Sequence, residues 1–273
     1  MYGSGMEMQE RAVGELLRDW RQRRRMSQLD LANEAEVSAR HVSFLETGRA
    51  NPSREMLIKL AERLEIPLRE RNALLLAGGF APIYVERPLD DPDLQAARQA
   101  VNLVLAGHEP FPALAIDQHW TMITANRAVT PLLEGIPGEL LAPPVNVLRL
   151  SLHPDGLLPR IVNARQWRTH LLERLQQQIE RSGDATLIAL LAELRAYPAP
   201  AAPRRSSTQT GSLGGIVVPL RVRTDHGVLT FISTTTVFGT PLDITLSELA
   251  IESFFPADPA TAETMRALLA KPE

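Results

Sequence analysis

No cysteine occurs in the 273 residues. Disulfide staples, thiolate zinc sites and cysteine nucleophiles are thereby excluded, and a reducing cytoplasm is the expected setting. Aromatic residues are scarce, at 5%, which is poor provision for a flavin; without a thiol no flavin–cysteine adduct can form. No apolar run approaches the ~18 residues of a membrane span, so no membrane partner is expected. The opening MYGSGMEMQE lacks the basic and then apolar pattern of a secretion signal. His41, His108, His119, His153, His170 and His226 are scattered, and none takes part in a spacing such as H-E-x-x-H. G-x-S-x-G and phosphate-cradling glycine loops are also missing. The HPDG at 153–156 is ordinary turn chemistry. The chain is therefore not expected to be an enzyme, with a hydrolase as the distant alternative. No metal or cofactor is expected; a haem would need an axial ligand such as His170 and is disfavoured.

What is present is a composition of 44% hydrophobic and 22% charged residues, ordinary for a globular chain. The length suits two domains of roughly 100–200 residues each. A net charge of −3 argues against a wholly basic nucleic-acid binder. Position matters more: Arg21, Arg23, Arg24 and Arg25 lie together in RQRRR, where they form either a solvated face or a phosphate contact.

Residues 1–10 read as a disordered N-terminus, and residues 11–79 as five short helices. Val13, Leu16, Leu17 and Trp20 recur at helical spacing in the first. Ser27, with Asp30 three residues on, forms a capping-box signature for the second. Ser38 caps a third helix carrying Val42 and Leu45 inward, and Ser53 caps a fourth. A fifth runs to Gly78-Gly79. A tight turn between the second and third helices is the helix-turn-helix plan. MSQLDLANEAEVSARHVSFLETGRANPS closely resembles the Xre/phage-repressor DNA-binding family, over roughly residues 10–70. Glu36 stands where that family usually has glycine; a positive φ there would cost about 1 kcal/mol.

The resemblance implies an all-α, lambda-repressor-like domain whose third helix enters the major groove of double-stranded DNA. Ser38, Ala39, Arg40, Ser43 and Phe44 then lie at its outer, N-terminal side, where base edges are met. Arg40 is the first candidate for specificity, through bidentate bonds to guanine. Phe44 either meets a thymine methyl or packs against the second helix. Gln28, Thr47, Arg49 and Asn51 are phosphate candidates. The family also implies that Arg21 and Glu46 form a buried ion pair, which is structural. Two recognition helices about 34 Å apart would match a palindromic operator, so a homodimer is expected.

GGFAPIYVERPLDDPD is rich in proline and glycine and places a linker at residues 80–92. Residues 93–273 read as an α+β domain. An amphipathic helix ends near Gly107; strands follow at 113–116 and 120–125, and Asn126 caps a helix. Two helices fill the middle, from Arg165 and from Asp184. VVPLRVRT and VLTFISTTTVF flank a hairpin turn, and LAIESFFP supplies a fifth strand. Five antiparallel strands with helices on one side are expected. A low-complexity, mobile loop is expected at about 197–215, with a proteolytic site at Arg204-Arg205.

HWTMITAN, NVLRLSLHPDGLLPRIVNARQW and TPLDITLSELAIESFFPAD resemble the C-terminal domain of the MmyB-like transcription regulators, over nearly all of residues 100–260. The resemblance implies a PAS-like sensor joined to an Xre-type DNA-binding domain. Trp167, His170, Leu171, Arg174, Phe231, Ile232, Ser233 and Thr235 are the candidate ligand-binding residues. A narrow aliphatic pocket with one cationic end suits a fatty acid or a similar amphiphile. A tightly packed core, or a ligand-free module for protein interaction and dimerisation, are the alternatives. The inward face of the sheet is not readable from the strand sequences.

Overall fold

The computed structural model describes residues 12–200, 217–238 and 243–270. The expected disorder at 1–10, most of the expected mobile loop and Arg204-Arg205 lie outside the described residues. The chain divides into two compact units: the residues through Arg87 with Gln178–Ala185 and a segment ending at Ser247, and the remainder.

The first unit contains the five expected helices: α1 (Val13–Arg23), α2 (Gln28–Glu34), α3 (Ala39–Glu46), α4 (Arg54–Arg63) and α5 (Leu68–Ala77). Leu17, Leu31, Val42, Leu45, Leu57, Leu60, Leu64 and Leu74 fill one core. The starts of α2, α3 and α4 are set locally. Asp30 N–H donates to Ser27 Oγ at 3.1 Å, and Ser27 N–H donates to Asp30 Oδ2 at 2.8 Å. Ser38 Oγ accepts from His41 N–H, and Ser53 Oγ from Met56 N–H. Each side chain satisfies an amide that the helix itself leaves open. Glu36 closes the α2–α3 turn at φ 53°, the left-handed conformation that its position requires. Gly14 lets α1 approach α3: a Cβ there would stand 2.3 Å from the Leu45 carbonyl oxygen.

In the second unit α6 (Gln95–Gly107) leads into β1 (Ala113–Ile116) and β2 (Met122–Ala125). Three short helices follow, α7 (Thr130–Leu133), α8 (Gly138–Leu141) and α9 (Val147–Leu152). The long α10 (Ala164–Ser182) and then α11 (Ala185–Ala196) come next, followed by β3 (Leu220–Thr224) and β4 (Gly227–Val237). After the brief α12 (Ile244–Ser247), which is counted with the first unit, β5 (Ala250–Pro256) and α13 (Pro259–Leu269) complete the order. The strands form one antiparallel sheet in the order β2-β1-β5-β4-β3.

Two expectations are corrected. Helices cover both faces of the sheet, not one. Ala113, Ala115 and Ile251 pack on Val101 and Leu105 of α6. The opposite face, carrying Leu114, Ser233, Glu252 and Phe254, turns toward Trp167 and Leu171 of α10. Strand alternation makes this unavoidable, because both sets of side chains in β1 and β5 are apolar enough to need cover. Asn126 does precede a helical turn, but its side chain makes no cap bond. It is buried, accepts from Ala113 N–H and donates to the carbonyls of Leu105 and Phe111. It therefore ties the end of α6 to the first strand.

Candidate functional site

The first candidate surface is the N-terminal half of α3. Arg40 is exposed, with its guanidinium carbon 5.1 Å from the centroid of the Phe44 ring. Phe44 and Ser43 are half-buried, as is Ala39; Val42 and Leu45 point into the core. Thr47, Arg49 and Asn51 are exposed beyond the end of the helix. Thr47 donates its hydroxyl to Ser43 O at 2.7 Å. Ser38 is occupied as a cap, although its hydroxyl hydrogen stays available.

Beneath this surface lies the expected ion pair. Arg21 Nε meets Glu46 Oε1 at 2.6 Å and Arg21 Nη2 meets Oε2 at 2.9 Å. Burial opposes ionisation of Glu46, but the bonds from Arg21 and Gln28 outweigh it and hold the carboxyl below its ordinary range. The bond to Glu46 raises Arg21 despite burial. Gln28 donates to Glu46 Oε2 at 2.8 Å, which engages one amide hydrogen and orients the amide. Within RQRRR the roles differ. Arg24 donates to the Leu64 and Glu65 carbonyls, ending α4, whereas Arg23 and Arg25 are exposed.

The second candidate site is a cavity of about 90 Å³ between the sheet and α10. Its walls are almost entirely apolar. Leu114 and Phe254 come from the sheet, Met122 from β2, Val147, Leu148 and Leu150 from α9, and Trp167 and Leu171 from α10. Trp167 is fixed by donating Nε1–H to Ser151 Oγ at 2.9 Å. Trp120 also lines the cavity, with its backbone at φ 66°, a strained conformation for a bulky residue.

One end of the cavity is charged. Arg174 lies over the Trp120 ring at 4.5 Å and donates from both terminal nitrogens to Glu252. It also donates to Thr235 Oγ1 at 2.6 Å, and Thr235 in turn donates to Glu252 Oε1 at 2.7 Å. Glu252 is buried, with its side chain 5% exposed, while the Arg174 side chain is 29% exposed. Thr235 is exposed, so the cluster sits at the outer end of the cavity.

The structure thus brings Trp167, Leu171, Arg174 and Ser233 to one cavity, with Thr235 bound to its charged end. Phe231 is fully buried on the same sheet face, 6.4 Å from the Phe254 ring. Ile232 alternates to the other face, opposite Phe255. His170 lies beside Trp167 rather than in the cavity wall, and burial followed by the nearby Arg174 charge lowers its pKa. Sequence reasoning missed Glu252, Trp120, Met122 and the α9 residues. A lone acid inside the apolar run AIESFFP was the available signal for Glu252.

Residues 97–268 match the MmyB-like transcription regulator ligand binding domain. The chain belongs to the MmyB-like transcription regulators. Residues 17–71 match a helix-turn-helix family, the region built from α1 to α5. A relative from Methanoculleus marisnigri, named for an HTH-type transcriptional regulatory protein, is 33% identical over 129 residues. That match covers 46% of this chain and 41% of the relative, so the chain spans less than half of the protein it resembles. The family that covers most of the chain is one of transcription regulators. No helix among the described residues is long and apolar enough to cross a membrane.

Proposed function

We propose that the chain is a sequence-specific DNA-binding transcription regulator whose second unit senses a small amphiphile, with a fatty acid as the preferred candidate. The observation that carries the sensor reading is the apolar cavity with a guanidinium at its outer end. The cavity, about 90 Å³, is several times the roughly 10–15 Å³ that a single water needs, so it admits more than one water-sized group. A methylene is close to water in size and the wall is apolar, which makes a short acyl chain the favoured occupant.

On the DNA side, Arg40 reads a guanine edge and Arg49 and Asn51 meet phosphates. Gln28, oriented by Glu46, supports a phosphate contact from the start of α2. A homodimer on a palindromic operator provides the two half-sites. The ligand acts by binding one arrangement of the DNA-binding heads better than another, since a ligand with equal affinity for both shifts nothing.

The test is mass spectrometry of freshly purified protein, native and then denatured, followed by titration of operator binding with octanoate. Native mass gives the oligomer. A mass excess that vanishes on denaturation and matches an acyl chain supports the sensor reading, as does an octanoate-dependent change in operator affinity. A clean unliganded mass with operator affinity indifferent to octanoate refutes it.

A further inference from the structure

Among the described residues Arg174 is the only cation in the cavity wall, and it is matched: Glu252 holds both of its terminal nitrogens. Thr235 bonds to both partners. An entering carboxylate therefore shares Arg174 with Glu252: it gains as the guanidinium turns toward it and loses part of that gain to repulsion from Glu252. A neutral head group involves neither effect. It can use Ser233 or the hydroxyl hydrogen of Ser151, whose oxygen is engaged by Trp167.

We propose that Glu252 is the specificity-determining residue of this cavity: an internal carboxylate that competes with acidic ligands for Arg174 and sets the balance between acids and neutral amphiphiles. This rests on the cavity taking an amphiphile, as proposed above. Geometry supports a competitive role over a purely structural one. Glu252 and Arg174 both line the cavity, so their pair is open to whatever occupies it, whereas Arg21 and Glu46 have side chains only 10% and 1% exposed. Glu252 comes from the middle of β5, hydrogen-bonded to β1 on one side and β4 on the other, so its backbone is fixed. The guanidinium reaches it from a helix on a flexible stem and is partly exposed. Arg174 can thus turn to a second carboxylate without any change in the sheet.

The experiment uses the full chain with two probes of equal length, octanoate and 1-octanol, titrated calorimetrically at constant pH and salt. Glu252→Gln keeps the shape and a hydrogen-bond acceptor for Arg174 while removing the competing charge. Octanoate affinity is expected to rise at least tenfold, and 1-octanol affinity to change less than threefold. In the double variant Arg174→Gln/Glu252→Gln the octanoate gain should vanish, because the anchor is gone and no charge is left to bury. If Glu252→Gln does not fold, Glu252→Asp replaces it: the shortened acid loosens the pair, and a smaller octanoate-selective gain is expected. Equal shifts for both probes, no octanoate gain, or a gain that survives loss of Arg174 each overturn the assignment of Glu252 while leaving the cavity reading intact. Failure of wild type and variants to bind either probe overturns the cavity reading as well.

Discussion

Replacing Glu46 with alanine tests the buried pair beneath the recognition helix. The Glu46 side chain is 1% exposed and that of Arg21 10%. After truncation Arg21 keeps a bond to the Met26 carbonyl, 2.7 Å away, but no counter-charge at that distance. Breaking such a pair costs about 3–5 kcal/mol, chiefly because the remaining charge is buried alone. In a helical unit of this size each kcal/mol lowers the midpoint by ~4–8 °C, so the lower bound corresponds to roughly 12–24 °C. Thermal melts of the full chain at fixed protein concentration should show the transition of the first unit moving by that amount. The double variant Arg21→Met/Glu46→Leu, which leaves no charge behind, should recover most of the loss. Operator binding by Glu46→Ala should persist at low temperature, where the unit is still folded. A melt within 2–3 °C of wild type, or lost binding in a fully folded variant, would refute the structural role. The pair also predicts acid sensitivity. Because Glu46 is held below its ordinary value of 4.5, its contribution is present above that pH. It is lost as pH falls through the lower folded value, and Glu46→Gln should flatten that limb of the stability curve.

Arg40→Ala should cost ~1–3 kcal/mol at one base pair and relax preference there, measured by competition among single-base operator variants; undiminished discrimination would remove Arg40 from base readout. Glu36→Gly should stabilise the first unit by up to about 1 kcal/mol, since φ 53° suits glycine and the bond lost to Lys59 is on the surface. A drop in the denaturant midpoint would contradict that. Asn126→Ala should destabilise the second unit by about 1–3 kcal/mol, because it leaves the buried Ala113 N–H without its acceptor and removes a donor from the Leu105 and Phe111 carbonyls. Unchanged urea unfolding would show that water replaces the side chain.

Legibility differed between the two units for a physical reason. In the first, the starts of α2, α3 and α4 are decided within four residues, as at Ser27 with Asp30, so they can be read from sequence alone. In the second, FISTTTV has Phe231, Ser233 and Thr235 on one face and Ile232, Thr234 and Thr236 on the other. Neither set is clearly the more apolar. The choice of face comes from pairing with β5 and from the helix laid over it, both distant in sequence. Asn126 looked like a cap because its short-range pattern is that of one; its actual partners are 13 to 21 residues away. The cavity wall from α9 was missed because short helices and turns carry little periodicity.

The stacking of Arg40 on Phe44 bears on how fast and how tightly the protein meets its operator. An arginine free in solvent samples many rotamers, worth about 2 kcal/mol of entropy, and association must narrow them. Here the guanidinium carbon lies 5.1 Å from the Phe44 ring centroid, a contact that limits this freedom before DNA is met. On the proposed reading of Arg40, Phe44 contributes to affinity through that contact. Its removal should slow the formation of the specific complex for every operator that Arg40 can read, and leave the ranking of those operators unchanged.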